Sequence, residues 1–378
     1  MRSLFKLLST LLLITSFFIP QENTAQSLTS EQNELADKIH SLVNTYYKAN
    51  EFSGSVLVAD RDHILINKAY GYLDIDKTKE IDQTSVFEIA SISKQFTALL
   101  IMILQEENKL NYDDKITKYF PNIPYRNITI RHLLTHTSGL SEKQFFKWAG
   151  KNMDSDKTYT NEFILKYLEN EKPELAFVPG EKWEYSNLGY FLLPLIMQKI
   201  TGEHYISYLN KKILEPLEMD NSGIFSQNSK RSKMNNYAFG KIFNSKDSTF
   251  ISSFGFAKSD SIYGSVGVLS NTTDLFKYDR ALNANKLVNQ KTMKEAFTSY
   301  TLTDATSSKY GFGWFITDDV TINGMNCGKR INHHGLWPGY ESSFIRFIDK
   351  DKTIIILSNQ SPSSKDKLVE EISKLLFN

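Results

Sequence analysis

The chain has 378 residues, 41% of them hydrophobic, enough for a large core. Its 44 basic side chains nearly match its 43 acidic ones, which leaves no electrostatic footprint for nucleic acid, and no nucleic-acid partner is expected. Its one cysteine, Cys327, cannot form an internal disulfide and is assigned no role.

The first element reads as a processing segment. Arg2 and Lys6 give a positive start, residues 7–18 are apolar, and Asn23-Thr24-Ala25 offers a small-residue cleavage site before Gln26. Residues 1–25 are therefore expected to be a signal peptide and the mature protein to be periplasmic or secreted. The alternative is an uncleaved signal anchor. The apolar run is short for a membrane span, so no stable membrane anchor is expected. Removing Arg2, Lys6 and Glu22 leaves equal numbers of basic and acidic side chains. The cluster Lys230, Arg231 and Lys233 reads as a solvated loop.

Thr29 and Gln32 form a capping box, and Leu35, Ile39, Leu42, Val43 and Tyr46 follow at helical spacing. Strand-like runs at 54–59 and 63–70 are joined by the turn Asp60-Arg61-Asp62. After Lys77 the pattern is mostly helix and loop, with helical stretches after Ser91 and at 128–134, 161–168 and 190–212. Strands are expected again at 310–316, 343–348 and 353–357, and an amphipathic helix at 365–377. The expected fold class is α/β in the α+β sense. An antiparallel sheet drawn from both chain ends, about 26–76 and 305–378, is flanked by terminal helices. A large, mostly helical region, about 77–304, is inserted within it. Together they make one catalytic domain over 26–378, with the site at the junction.

Ser91-Ile92-Ser93-Lys94 carries the chemistry. Residues three apart on a helix share a side, so the Ser91 hydroxyl and the Lys94 amine can touch. Serine needs a base within hydrogen-bond reach, and lysine can serve when burial and the helix N-terminus lower its pKa. Two other Ser-x-x-Lys matches, Ser3/Lys6 and Ser364/Lys367, lie in the leader and in a polar terminal helix. Tyr185-Ser186-Asn187 follows a Pro-Gly turn and precedes an apolar helix. His333-His334-Gly335 is the only His-x-Gly, and it is expected just ahead of a strand; glycine there lets a ligand or backbone approach closely. His132 and His136 stand at i, i+4. The glutamate of the zinc-protease pattern is replaced by Leu133, so both are read as structural and no metal is expected. No Gly-x-Ser-x-Gly elbow occurs, which argues against an α/β-hydrolase.

In this order, Ser91-x-x-Lys94, Tyr185-x-Asn187 and His333-x-Gly335 resemble the three motifs of the serine β-lactamase and penicillin-binding-protein superfamily. The nearest likeness is its class C-like branch, with D-alanyl-D-alanine carboxypeptidases and esterases. The runs His132 to Leu140 and Gly264 to Ser270 also look like signatures of that family. The resemblance implies a β-lactamase/transpeptidase-like fold and a serine hydrolase that needs no cofactor. It implies Ser91 as nucleophile, Lys94 as its base and Tyr185 as proton shuttle. Asn187 would hold Lys94 and the substrate carbonyl, and the backbone N–H groups of Ser91 and Leu336 would form the oxyanion hole beside Gly335. His333 would replace the lysine of class C enzymes, and Lys94 and His333 together would make Tyr185 a better proton acceptor. The implied partner is a small-molecule or peptide substrate, peptidoglycan-derived ones included. A D-alanyl peptide, a small ester and a β-lactam all stay open. Two rival readings are a binding or sensing protein that is acylated but barely turns over, and a silent relative. Trp337 and Tyr340 suggest either an aromatic acyl-binding wall or core packing. Activity is expected to fall below the pKa of the Lys94/Tyr185 system, with a histidine step near pH 6.5.

Overall fold

A computed structural model describes residues 28–152, 159–225, 234–253 and 261–378. The expected signal peptide and the Lys230, Arg231, Lys233 loop lie outside the described residues. Helix α1 (Ser30–Lys48) starts at the capping box of Thr29 and Gln32, as read from the sequence. Strands β1 (Gly54–Asp60) and β2 (His63–Tyr70) follow as an antiparallel pair. The segment after them holds β3 (Phe87–Glu88), α2 (Ser93–Glu106), α3 (Ile130–Leu134), α4 (Glu142–Asn152), α5 (Asn161–Asn170), α6 (Asn187–Thr201) and α7 (Tyr205–Leu209). Next come β4 (Gly223–Ile224), β5 (Gly240–Asn244), β6 (Thr249–Ser253), β7 (Val268–Ser270), α8 (Thr272–Asn283) and α9 (Gln290–Ala296). The chain closes with β8 (Phe315–Ile322), β9 (Met325–Trp337), β10 (Tyr340–Phe347), β11 (Lys352–Ser358), β12 (Gln360–Ser361) and α10 (Lys365–Leu376).

Both chain ends build one six-stranded antiparallel sheet in the order β2-β1-β11-β10-β9-β8. Its central strands are buried on both faces, and alternation sorts their side chains into two cores. Val56, Val58, Ile354 and Ile356 pack with Ile39, Val43, Leu368 and Ile372 of the terminal helices. Leu57, Ala59, Ile355 and Leu357 point the other way, into the core shared with the helical region. At the centre of that second core is α2, buried at every residue from Ser93 to Leu104. From Ala98 to Leu104 the helix is apolar all round, as suits a helix inside a protein.

Two sequence expectations need correction. Residues 310–314 are not strand: they form a tight loop, and β8 begins only at Phe315. Gly313 in that loop has φ 81°, and a Cβ there would lie 3.0 Å from the Gln95 backbone. Strand β9 was not expected at all, because it carries Asn326, Lys329, Arg330, Asn332 and two histidines instead of an apolar alternation. His333 therefore lies inside a strand, not ahead of one. The inserted region is mostly helical, as expected, with a few short strands. It contains the β5–β6 hairpin and the small sheet β3-β7-β4, whose two- and three-residue strands are too short to show a period.

A buried ion pair joins the two parts of the chain. Arg346 of β10 donates to the Asp279 carboxylate of α8, and Thr353 of β11 adds a 3.1 Å bond to the same group. Both charged side chains are almost wholly inaccessible, at 2% and 0%. Breaking such a pair strands a charge in the core. Asp279→Ala is expected to lower unfolding stability by about 3–5 kcal/mol, read as a drop in the urea midpoint.

Candidate active site

The chain runs from β3 into a short 3₁₀ turn, Ala90–Ile92, before α2 begins. Ser91 thus sits one step ahead of the α-helix, and Lys94 in its first turn. Side chains three apart eclipse in a 3₁₀ turn, which stacks Ser91 over Lys94. Ala90, just before the serine, has φ 49°, a left-handed conformation that costs energy in a residue with a Cβ. Ser91 remains partly exposed, whereas Lys94 has no accessible surface.

Lys94 Nζ lies 3.1 Å from Ser91 Oγ, 2.7 Å from Asn187 Oδ1 and 3.1 Å from the Ser265 carbonyl oxygen. Burial drives its pKa well below the usual lysine value, and the charge of Glu142 opposes that fall. The Gly264 to Ser270 run wraps this end of α2. Thr97 donates to the Gly264 carbonyl at 2.7 Å, and the Val268 amide donates to Ser93 Oγ at 3.1 Å.

Asn187 opens α6, with Ser186 as its N-cap. Glu142, in the first turn of α4, accepts from the Asn187 side-chain amide at 2.7 Å and from its backbone N–H at 3.1 Å. Ser265 Oγ also donates to Asn187 Oδ1. Neither Glu142 nor Ser265 was singled out as a site residue from the sequence. Each was nonetheless signalled, Glu142 by standing two residues beyond the His132 to Leu140 run, and Ser265 by lying inside the second family run.

Tyr185 touches Ser91 through its hydroxyl, and its ring lies 4.8 Å from Lys94 Nζ. Burial raises the phenol pKa above its ordinary value, and the Ser91 contact only partly opposes this. The expected easing of Tyr185 by two neighbouring cations is thus corrected, since Lys94 and His333 are themselves desolvated. A packed aromatic group holds the tyrosine. Phe315 stands 6.4 Å away and nearly parallel, and His136 packs on it at 4.3 Å. His136 also takes the Ser186 backbone N–H on Nδ1 at 3.2 Å, which fixes the loop carrying Tyr185. His132 faces elsewhere and caps Thr129 at 3.2 Å, so the two histidines of the i, i+4 pair serve separate structural contacts.

His333 is buried at 1% exposure, and both its ring nitrogens are engaged. Nδ1 donates to the His334 carbonyl at 2.7 Å, which leaves Nε2 to accept from the Tyr310 hydroxyl at 3.0 Å. Burial pushes its pKa well below the ordinary histidine value, and Lys94 adds to the effect. This displaces the expected step near pH 6.5, because the imidazole stays neutral through that range. Tyr340 proves to be core: it is 2% exposed and bonded to the Ala238 carbonyl at 2.9 Å. Leu336 presents a side chain 70% exposed on the rim.

Gly335 is where the sheet meets the Ser91 turn. A Cβ there would lie 2.3 Å from the Ile89 carbonyl oxygen and 2.1 Å from Ser342 Oγ. Gly335→Ala is expected to cost about 1–3 kcal/mol by overpacking, measured by urea unfolding. Four histidines also predict an acid sensitivity. Burial lowers His136 and His333 well below 6.5, and His132 and His334 to about 4. The unfolded chain then binds more protons below about pH 6.5, so stability present above that pH is lost as pH falls toward 4. The urea midpoint should therefore be lower at pH 5 than at pH 7.5.

Known proteins resemble this chain over most of its length. The family model described as Beta-lactamase matches residues 39–377. Penicillin-binding protein 4* of Bacillus subtilis (strain 168) is 34% identical over 333 residues, covering 86% of this chain and 72% of that protein. The octameric penicillin-binding protein homologue from Pyrococcus abyssi superimposes with a TM-score of 0.77 at 26% identity, over 90% of this chain and 77% of that one. The D-amino acid amidase from Ochrobactrum anthropi SV3, 20% identical, shares the fold with a TM-score of 0.74 over 91% of this chain and 99% of that one. The chain belongs to the β-lactamase family, and so to the serine hydrolases of the β-lactamase and penicillin-binding-protein superfamily.

Proposed function

We propose that the protein is an exported serine hydrolase that cleaves an amide or ester through an acyl-enzyme on Ser91. One observation carries this reading: the three contacts of Lys94. Two of its partners, Asn187 Oδ1 and the Ser265 carbonyl oxygen, can only accept hydrogen bonds. A neutral amine donates to both and keeps its lone pair for the Ser91 hydroxyl. Burial favours that neutral form. Lys94 then takes the proton as Ser91 Oγ bonds to the substrate carbonyl carbon. The resulting oxyanion is held by the backbone N–H groups of Ser91 and Leu336, each such donor being worth about 3 kcal/mol. The tetrahedral intermediate collapses, the leaving group departs with a proton passed through Tyr185, and water later cleaves the Ser91 ester. Asn187 holds Lys94 and the substrate carbonyl, and Gly335 lets β9 come close enough to take part.

The leader supports export to the periplasm or medium. Among the described residues, no helix is long and apolar enough to cross a membrane. The substrate is a small molecule or peptide: a D-alanyl peptide, a small ester or a β-lactam. The raised Tyr185 favours a second reading, since a phenol that resists ionising is a poor base for the deacylating water. In that reading the protein is acylated and barely turns over, and similarity to a penicillin-binding protein of Bacillus subtilis supports it as well.

Time-resolved intact mass spectrometry with a penicillin and with an activated acyl ester separates the two. A working hydrolase gives an adduct that forms and decays, and a binding protein gives one that persists. Ser91→Ala is expected to remove the adduct and to cut turnover by about 10⁶-fold. Substantial residual turnover in that variant would overturn both readings.

A further inference from the structure

We propose that Glu142 is a positioning residue that locks the Asn187 side chain with its oxygen toward Lys94 and supplies, among the described residues, the one negative charge facing that amine. The inference rests on the acyl-enzyme reading and extends it to a residue that does not touch substrate. An asparagine amide has two nearly isosteric ends, and only its surroundings decide which end faces which neighbour. Here a carboxylate, which in its ionised form can only accept, takes both the Asn187 Nδ2–H at 2.7 Å and the Asn187 backbone N–H at 3.1 Å. The oxygen must then face inward, where Lys94 and Ser265 both donate to it. Turned the other way, the amide would present an N–H to Lys94 and occupy the lone pair that Ser91 needs. The backbone bond also fixes the start of α6, and so the position of Asn187 itself.

The other titratable groups around Lys94 leave Glu142 electrostatically alone among the described residues. From α6 and the loop before it, the rings of Tyr190 and Tyr185 face Nζ at 5.7 Å and 4.8 Å. Burial keeps both phenols protonated. His136, after α3, and His333, on β9, interact with Lys94 and are held neutral by burial. Glu142 is the group whose charge stabilises the ammonium that forms when Ser91 gives up its proton.

Exchanging the two functional groups tests this. In E142Q no amide orientation satisfies every partner. In E142Q/N187D the hydrogen-bond pattern is restored, because the amide introduced on α4 can donate to one oxygen of the new carboxylate and accept from the backbone N–H. The negative charge then sits directly against Lys94. E142D keeps both the charge and the acceptor-only chemistry. The readout is the rate of Ser91 acylation by p-nitrophenyl acetate against pH, with adducts confirmed by intact mass.

Relative to wild type, the acid limb should move to lower pH in E142Q and to higher pH in the double variant, each by about 1–3 units. It should stay in place in E142D. E142Q should also acylate at least about tenfold more slowly at its optimum, a loss of transition-state stabilisation. A purely structural role would slow the reaction without moving the limb in opposite directions. Acylation of E142Q at the wild-type rate with an unmoved limb overturns the proposal. Should E142Q not fold, an unmoved limb in the double variant overturns it equally. If wild type itself forms no Ser91 adduct, the acyl-enzyme reading fails and takes this inference with it.

Discussion

The desolvation of one amine governs this architecture. A lysine with no accessible surface is costly to keep charged, and the protein surrounds Lys94 with partners suited to its neutral form. That burial requires α2 to run through the centre of the helical core, with the sheet on one side and α6 on the other. It also requires something to close over the start of α2, and the Gly264 to Ser270 run does so through Thr97, Lys94 and Ser93. Ser91 stays partly open because the 3₁₀ turn lifts it clear of the helix that buries its neighbour. A reactive pair needs one open and one closed member, and a single turn of backbone provides both.

Much of this was legible in the sequence, for identifiable reasons. Elements with strong periods were placed well: α1 by its cap and apolar stripe, β1 and β2 by runs around a polar turn, α10 by its amphipathic pattern. Ser91, Lys94, Tyr185 and Asn187 were found as motifs, and the fold brings their side chains into one cluster. Strand β9 escaped because Asn332 and His333 stand beside Ile331 among its buried positions and make hydrogen bonds there, which breaks the apolar alternation. Residues 310–314 looked like strand for the opposite reason. Their aromatic and apolar character comes from filling the space around His136, His333 and α2, while two glycines turn the backbone. Glu142 was invisible to composition and period because its contacts depend on the fold bringing α4 to the start of α6.

The histidines show how burial overrides residue type. A histidine in a catalytic motif suggests a titrating group near neutrality. His333 instead spends one nitrogen on a backbone carbonyl and the other on a buried phenol, and its environment holds it neutral. Its contribution is to tie β9 to Tyr310, which packs on His136, which in turn packs on Tyr185. The wall behind Tyr185 is thus a chain of ring contacts.

Neutrality at rest has a consequence for how charge moves. Lys94, Tyr185, His136 and His333 are all pushed toward their uncharged forms, so the resting cluster holds little charge to solvate. In the proposed reaction, proton transfer from Ser91 to Lys94 creates a cation there as negative charge develops on the substrate oxygen. A site of low effective dielectric strengthens the attraction between those two charges, provided both appear together. Glu142 stands outside the ring of neutral groups, bonded to Asn187 instead of to Lys94. From there its charge favours the ammonium without a direct ion pair that would hold the amine protonated at rest. A carboxylate in direct contact would sacrifice the base, and none at all would leave the new cation unsupported. Placing it one amide away reconciles the two demands.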